Sequence, residues 1–423
     1  MKLYINEQKK TDVMPIFMGG IVFLIFFIYN CAPSNTIFFL GIISFLFCLM
    51  ILSFDQLFLV CVLLIPNINT IKFIDSDTAI LGYFMLLVEL KYILFKKFVF
   101  SPWIFIHTVS LLITVILYSE ISLLISYIRN FAFFIYICSI FKNEELFQSL
   151  KYQKEIIVYY LLGLSLNVVF GLMFWIINGW DLLNGFFSGI RNGRNYFSSL
   201  VGHGMGLLLL FFFENKRKRS LCLFCFCVLL LCGGLAGSRT FLISLIFILL
   251  EFLLLTVDRK HIGLGLIFSI IFFAIIIIFW DSIYPIFQRI IDRFTNETAE
   301  DGNGRFGLWQ YYLQLTFSSG QRFLFGNGSS LKYVDLGLVD AVEHNTLIQA
   351  ISTVGVCGTI TWIITFILLY EIIVSKKRKS KFLLWLPLLS GLCFYMSINA
   401  FYGNQFNMLM VVSFVAINVF ASD

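Results

Sequence analysis

The residues of this chain whose types and spacing could do chemistry are one histidine and a set of arginines. His344-Asn345 is followed by nine residues and then by Gly355-Val356-Cys357-Gly358. Histidine titrates near neutral pH and can take a proton from a hydroxyl as a general base. The structural alternative is an imidazole bonded to a backbone carbonyl. Gly355 and Gly358 would let their helix approach a neighbour closely and hold His344, with Asn345, at its start. Arg191 and Arg194 lie in Arg191-Asn-Gly-Arg194-Asn-Tyr-Phe, Arg239 in Gly237-Ser-Arg239-Thr, and Arg305 in Gly304-Arg305-Phe-Gly-Leu-Trp309. A guanidinium fork engages two phosphate oxygens at once, which an ammonium cannot do. Its structural alternative is snorkelling towards lipid headgroups, the simplest reading for Arg289 and Arg293.

The elements that must position these groups are membrane helices. The chain has 423 residues, 60% hydrophobic and 13% charged, whereas soluble chains run at about 25% charged. Apolar runs of roughly 17–25 residues recur throughout, enough to cross a hydrocarbon core as helices. Short dyad alternation is absent, so a membrane β-barrel is excluded, as is a soluble enzyme with one anchor. The runs place spans at 13–29, 36–52, 54–66, 78–95, 103–118, 121–141, 156–177, 196–213, 221–236, 240–257, 262–284, 345–374, 382–398 and 406–421. The expected fold is all-α, a single transmembrane domain over 1–423 with 12–14 helices, the lower count applying if the short third span is half of a re-entrant hairpin. The first run follows Lys2, Lys9 and Lys10 without a small-residue cleavage site, and reads as a retained helix.

Lys and Arg divide unequally between the two sets of gaps: 19 on the side of the N-terminus and 9 on the other. The positive-inside rule then puts both termini in the cytoplasm and makes the formal charge of +6 a matter of orientation, with no nucleic-acid partner required. His344 and the four arginines fall on the opposite, outer side, where basic residues should be scarce. The large outer segment, 285–343, reads as an amphipathic stretch over 285–294, a Gly/Asn turn region over 296–304, and a helical run over 305–317 that lies on the membrane surface through Trp309, Tyr311 and Tyr312. Gly326, Gly328 and the serines after them return the chain to the membrane.

Other candidates carry less. Nine of the ten cysteines lie inside apolar runs, so no disulfide framework is expected. Cys222, Cys225 and Cys227 share one apolar helix without a second ligand pair, which argues against zinc. Asp75-Ser-Asp77 has the Asp-x-Asp form that can hold a divalent cation, although a phosphate gripped by arginines does not need one. Arg129 is expected to pair inside the bundle or to lie beneath the active cleft, and Glu89, Lys91, Glu251 and Glu371 to snorkel from helix ends.

The His344-Asn345, nine residues, Gly355-x-x-Gly358 pattern resembles the signature that closes the large external loop of the O-antigen polymerase and O-antigen ligase family of bacterial polytopic membrane glycosyltransferases. Gly237-Ser-Arg239-Thr, Gly304-Arg305 with Trp309, and Phe325-Gly-Asn-Gly328 are similar to further family elements in the same order; together they cover roughly residues 190–375. The resemblance implies a GT-C-like fold in the bacterial inner membrane and transfer of a glycan from undecaprenyl diphosphate, with no nucleotide sugar, cofactor or metal. It gives His344 the role of base and the arginines that of diphosphate ligands. A polymerase joining lipid-linked repeat units, as donor and acceptor, is the expected activity, and a chain-length regulator is a further partner the family admits. The alternatives are a ligase passing the finished glycan to lipid A core and, from another class, a flippase of the lipid-linked unit.

Overall fold

The computed structural model describes residues 13–73, 80–118, 121–179, 187–190, 193–214, 216–256, 284, 288, 305–328, 344–375, 401 and 403–420. The described residues are helical and contain no strand. In chain order the helices are α1 (Met14–Cys31), α2 (Asn35–Ile51), α3 (Phe54–Leu64), α4 (Leu81–Phe95), α5 (Pro102–Tyr118), α6 (Ile121–Asn143), the single turn α7 (Glu145–Gln148) and α8 (Leu150–Ile177). They continue with α9 (Arg194–Glu214), α10 (Arg219–Leu235), α11 (Arg239–Thr256), α12 (Arg305–Thr316), α13 (Gly320–Phe325), α14 (Thr346–Ile373) and α15 (Asn404–Phe420). The apolar runs therefore form helices wherever they fall on described residues; the runs at 262–284 and 382–398 lie essentially outside them. Among the described residues, five helical segments are long and apolar enough to cross a membrane: Met14–Cys31, Leu123–Asn143, Leu150–Ile177, Arg194–Glu214 and Thr346–Ile373.

The short third run is the core of the N-terminal half. Leu57 to Leu64 are all buried, because α3 packs against α1, α4 and α8 and continues as a 3₁₀ turn over Ile65–Asn67. An all-round apolar helix is what such a central position requires. Gly163 of α8 permits the approach: a Cβ there would lie 2.0 Å from the Leu63 carbonyl oxygen. Two amides then seal the junction, Asn67 Nδ2 donating to Gly163 O at 2.9 Å and Asn167 Nδ2 to Pro66 O at 2.6 Å.

Helix directions follow from paired contacts. Along α9 and α15, Tyr196 meets Phe406, His203 Nε2 lies 2.9 Å from Ser413 Oγ, and Phe211 meets Phe420, so the two run parallel. Helix α14 runs with them, since Phe401 N donates to Gln349 Oε1 near its start and Ser375 N to Asn418 Oδ1 past its end. Helix α11 is parallel to α9, joined by Ser238–Asn195 at one end and Phe213–Phe252 at the other. Helix α8 is antiparallel to α15, as the Asn418 Nδ2 to Gln153 Oε1 bond of 2.7 Å requires.

These directions collect Lys96, Lys97, Lys142, Lys154 and Lys216–Arg219 at one end of the bundle, tied by Lys96–Glu144, Lys154–Glu214 and Asn143–Lys97 contacts. Arg194 and Arg239 begin α9 and α11 at the other end.

Three of the intramembrane charges, Glu89, Glu251 and Lys91, depart from expectation. Glu89 and Glu251 are each only 1% exposed and so do not snorkel. Lys91 turns inward to cap α2, its Nζ reaching Leu49 O and Leu52 O. Those carbonyls belong to the last turn of a helix, where a cation is favoured. Arg129 stacks its guanidinium 4.8 Å from the Tyr83 ring and donates to Ser126 Oγ at 3.1 Å.

Candidate functional site

The helix that carries His344 is bent, and the bend is docked. Asn345 caps α14, its Oδ1 accepting from Leu347 N at 3.0 Å and Ile348 N at 3.1 Å. His344 precedes it, exposed, with φ 47°, and is the one non-glycine residue with positive φ among those described. Left-handed backbone is uncommon outside glycine, and histidine is one of the side chains enriched there. About two and a half turns into the membrane run, Gly355 leaves the helical region altogether at φ 68° and ψ −171°.

That break strips two carbonyls of their helical partners, and the Phe325-Gly-Asn-Gly328 segment supplies replacements. Asn327 N donates to Ser352 O at 2.7 Å and Gly328 N to Thr353 O at 3.0 Å. The Asn327 amide adds a bond to Ser352 O at 3.0 Å and one to Thr316 Oγ1 at 2.8 Å, at the end of α12. Both glycines are needed for this. A Cβ on Gly355 would lie 2.5 Å from Gly326 N and Leu324 O, and one on Gly326, at φ 76°, would lie 2.2 Å from Thr353 O. Gly358 sits further along, where a Cβ would press on Val354 at 2.5 Å and come within 3.7 Å of Ser110.

Helix α5 holds the same segment from the other side. Thr114 Oγ1 donates to Phe325 O at 3.0 Å and the Tyr118 hydroxyl to Gly326 O. Lower on that face, His107 Nδ1 lies 3.0 Å and Ser110 Oγ 3.3 Å from Thr361 Oγ1 of α14. His107, Ser110, Thr114 and Tyr118 thus line one side of α5. Sequence reasoning missed all four, though their spacing of three and four residues is the signal of a shared helical face.

The arginine motifs meet at the starts of α9 and α11. Ser238 Oγ donates to Asn195 Oδ1 at 2.8 Å and accepts from Thr240 N at 3.2 Å, capping α11 while joining it to α9. Gly237 makes the preceding turn at φ 58°. Arg194 and Arg239 are consequently the first residues of two parallel, adjacent helices. Aligned helix N-termini carry partial positive charge and outward N–H groups, so this corner suits an anion.

Comparison with protein-family models, with curated proteins and with solved structures returns no match.

Of the expected site residues, the structure brings the start of α9 with Arg194 to the start of α11 with Arg239, while Asn345 follows His344 directly in sequence. It sets both groups at one end of the bundle: Phe406 at the start of α15 touches Tyr196 of α9, and Phe401, shortly before α15, bonds Gln349 of α14. Arg305 begins α12, where its side chain lies outside the described residues. Arg191, Arg289 and Arg293, and Asp75 with Asp77, also lie outside them, as do the stretches 289–304 and 329–343 of the large segment. The helical run expected over 305–317 is α12; Tyr312 and Thr316 on it are buried, and it packs against α14.

Proposed function

We propose that the protein is a surface polysaccharide polymerase. In this reading it has 12–14 spans and a GT-C-like architecture in the bacterial inner membrane, with both termini cytoplasmic. It joins repeat units carried on undecaprenyl diphosphate, and the end that holds Arg194, Arg239 and His344 faces outward. The observation that supports it most is the Asn195–Ser238 hydrogen bond, which sets two arginines on two neighbouring helix starts.

The chemistry follows from the charges involved. Breaking the bond between a sugar and a lipid diphosphate leaves negative charge on the leaving oxygen, and preorganised donors aimed at that oxygen lower the barrier. Arg194 and Arg239, with Arg191 or Arg305, supply them. His344 takes the proton from the attacking hydroxyl of the acceptor unit. Direct displacement inverts the donor carbon, and positioning two lipid-held substrates at one surface removes much of the entropic cost of their encounter.

The test is purified, detergent-solubilised full-length protein given an undecaprenyl-diphosphate oligosaccharide as its only substrate. A ladder of extended products without any lipid gradient is expected. No extension in detergent, with movement of the unit across the membrane once the same protein is placed in vesicles, would favour a flippase, and transfer only to added lipid A core would favour a ligase.

A further inference from the structure

Away from that site, at the lysine-rich end, an apolar groove of about 410 Å³ opens between α8 and α10 with α9 as its floor. Its walls include Val158 and Val169 of α8 and Phe224 and Leu229 of α10, and Phe211 lies beneath. Val158, Val169 and Phe224 are 41%, 52% and 66% exposed, a hydrophobic surface that helix packing leaves uncovered. Lys218 stands at its mouth within the basic run Lys216–Arg219.

We infer that this groove holds one acyl chain of an anionic phospholipid from the leaflet at the lysine-rich end, its headgroup phosphate meeting Lys218. Length is the first argument. From Val158 to Val169 the groove follows α8 for about 16 Å at 1.5 Å per residue, which is roughly half of a ~30 Å hydrocarbon core and so the depth of one leaflet. Midway along that length both walls lean onto the floor helix. A Cβ on Gly204 of α9 would lie 2.3 Å from Leu164 of α8 and 3.3 Å from Leu229 of α10, showing how closely both helices' leucines close over α9 there.

Charge is the second argument. At the mouth, Lys154 is spent on Glu214, and Arg219 is drawn to Phe212, donating to its carbonyl at 3.1 Å with the guanidinium over its ring. Lys218 lies exposed at the rim with the groove behind it. Basic residues beside a cleft between membrane helices are the pattern that anionic headgroups recognise. This inference does not depend on the polymerase reading.

Full-length protein in detergent, mixed with phosphatidylglycerol or phosphatidylcholine of matched acyl chains, tests it by native mass spectrometry. One phosphatidylglycerol per chain should survive conditions that strip phosphatidylcholine, with at least a tenfold preference. Lys218→Ala should cut that preference below threefold without disturbing packing, since the side chain is exposed. Cys225→Trp, which fills the groove, should abolish retention of either lipid. Equal retention of the two lipids by the wild type would overturn the assignment. So would an unchanged preference in Lys218→Ala, which decides the matter even if the tryptophan variant fails to fold. Displacement by a polyprenyl phosphate but not by phosphatidylglycerol would give the groove to a different lipid and would equally overturn it.

Discussion

Ser238 donates a 2.8 Å hydrogen bond to Asn195 across 43 residues of sequence, and that bond locks the start of α11 to the start of α9. Ser238 is 2% exposed, so removing its hydroxyl both uncaps α11 and leaves the Asn195 oxygen without this donor. Ser238→Ala should cost about 1–3 kcal/mol of stability through the lost cap and lost bond. If the pair also sets the spacing of Arg194 and Arg239, polymer ladders should shorten at matched membrane expression. A cycle with Asn195→Ala should return a coupling of about 0.5–3 kcal/mol, as contacting residues do. Additive thermal shifts would mean that the two helix starts are held by other contacts.

The docked bend in α14 makes a contrast among glycines. Gly355→Ala would place a methyl 2.5 Å from the Gly326 and Leu324 backbone and force a left-handed conformation on alanine. We expect poor folding, with a loss of roughly 1–3 kcal/mol or more from backbone strain alone. Gly307→Ala, on the exposed face of α12 with no atom within 4 Å, should be neutral or gain up to about 1 kcal/mol. Thermal unfolding in detergent measures both. Equal behaviour of the two variants would contradict the docking of Phe325–Gly328 on the bend.

Much of the helical layout was legible because length and apolarity suffice to mark a membrane helix, and α1, α2, α5, α9 and α14 begin and end within about two residues of the apolar runs. Helices apolar on every side carry no sign of which face is inward, and this is why Glu89 and Glu251 read as snorkelling when they are buried. The Gly355-x-x-Gly358 spacing suggests close packing of a helix on its neighbour, whereas at Gly355 the approach is made by a loop whose N–H groups replace lost helical partners. Such a bend depends on carbonyls left open at Ser352 and Thr353, which residue types alone do not reveal. The meeting of the Arg194 and Arg239 motifs was likewise out of reach, because it requires knowing that α9 and α11 are neighbours.

His344 combines an unusual backbone with a titratable side chain, and substitution can separate the two. Asparagine accepts left-handed φ readily but is no base at neutral pH. His344→Asn should therefore fold and insert as the wild type does while extension falls by about 10²–10⁴, the usual worth of a general base. His344→Ala should show the same loss with a small additional cost in stability from strain at φ 47°. Full-length polymer from the asparagine variant would reduce His344 to a turn residue at the start of α14.

The central claim is that arginines at two adjacent helix starts grip a diphosphate, and replacing each by lysine tests it most directly. Arg194→Lys and Arg239→Lys keep the charge and lose the fork that engages two oxygens together. Arg322, on α13 and bonded to Ser318, is the control, since its half-exposed side chain has no part in the proposed site. Product ladders from purified variants given the lipid-diphosphate oligosaccharide should collapse for Arg194→Lys and Arg239→Lys nearly as far as for the alanine forms, and stay intact for Arg322→Lys. Wild-type ladders from both lysine forms would contradict the account.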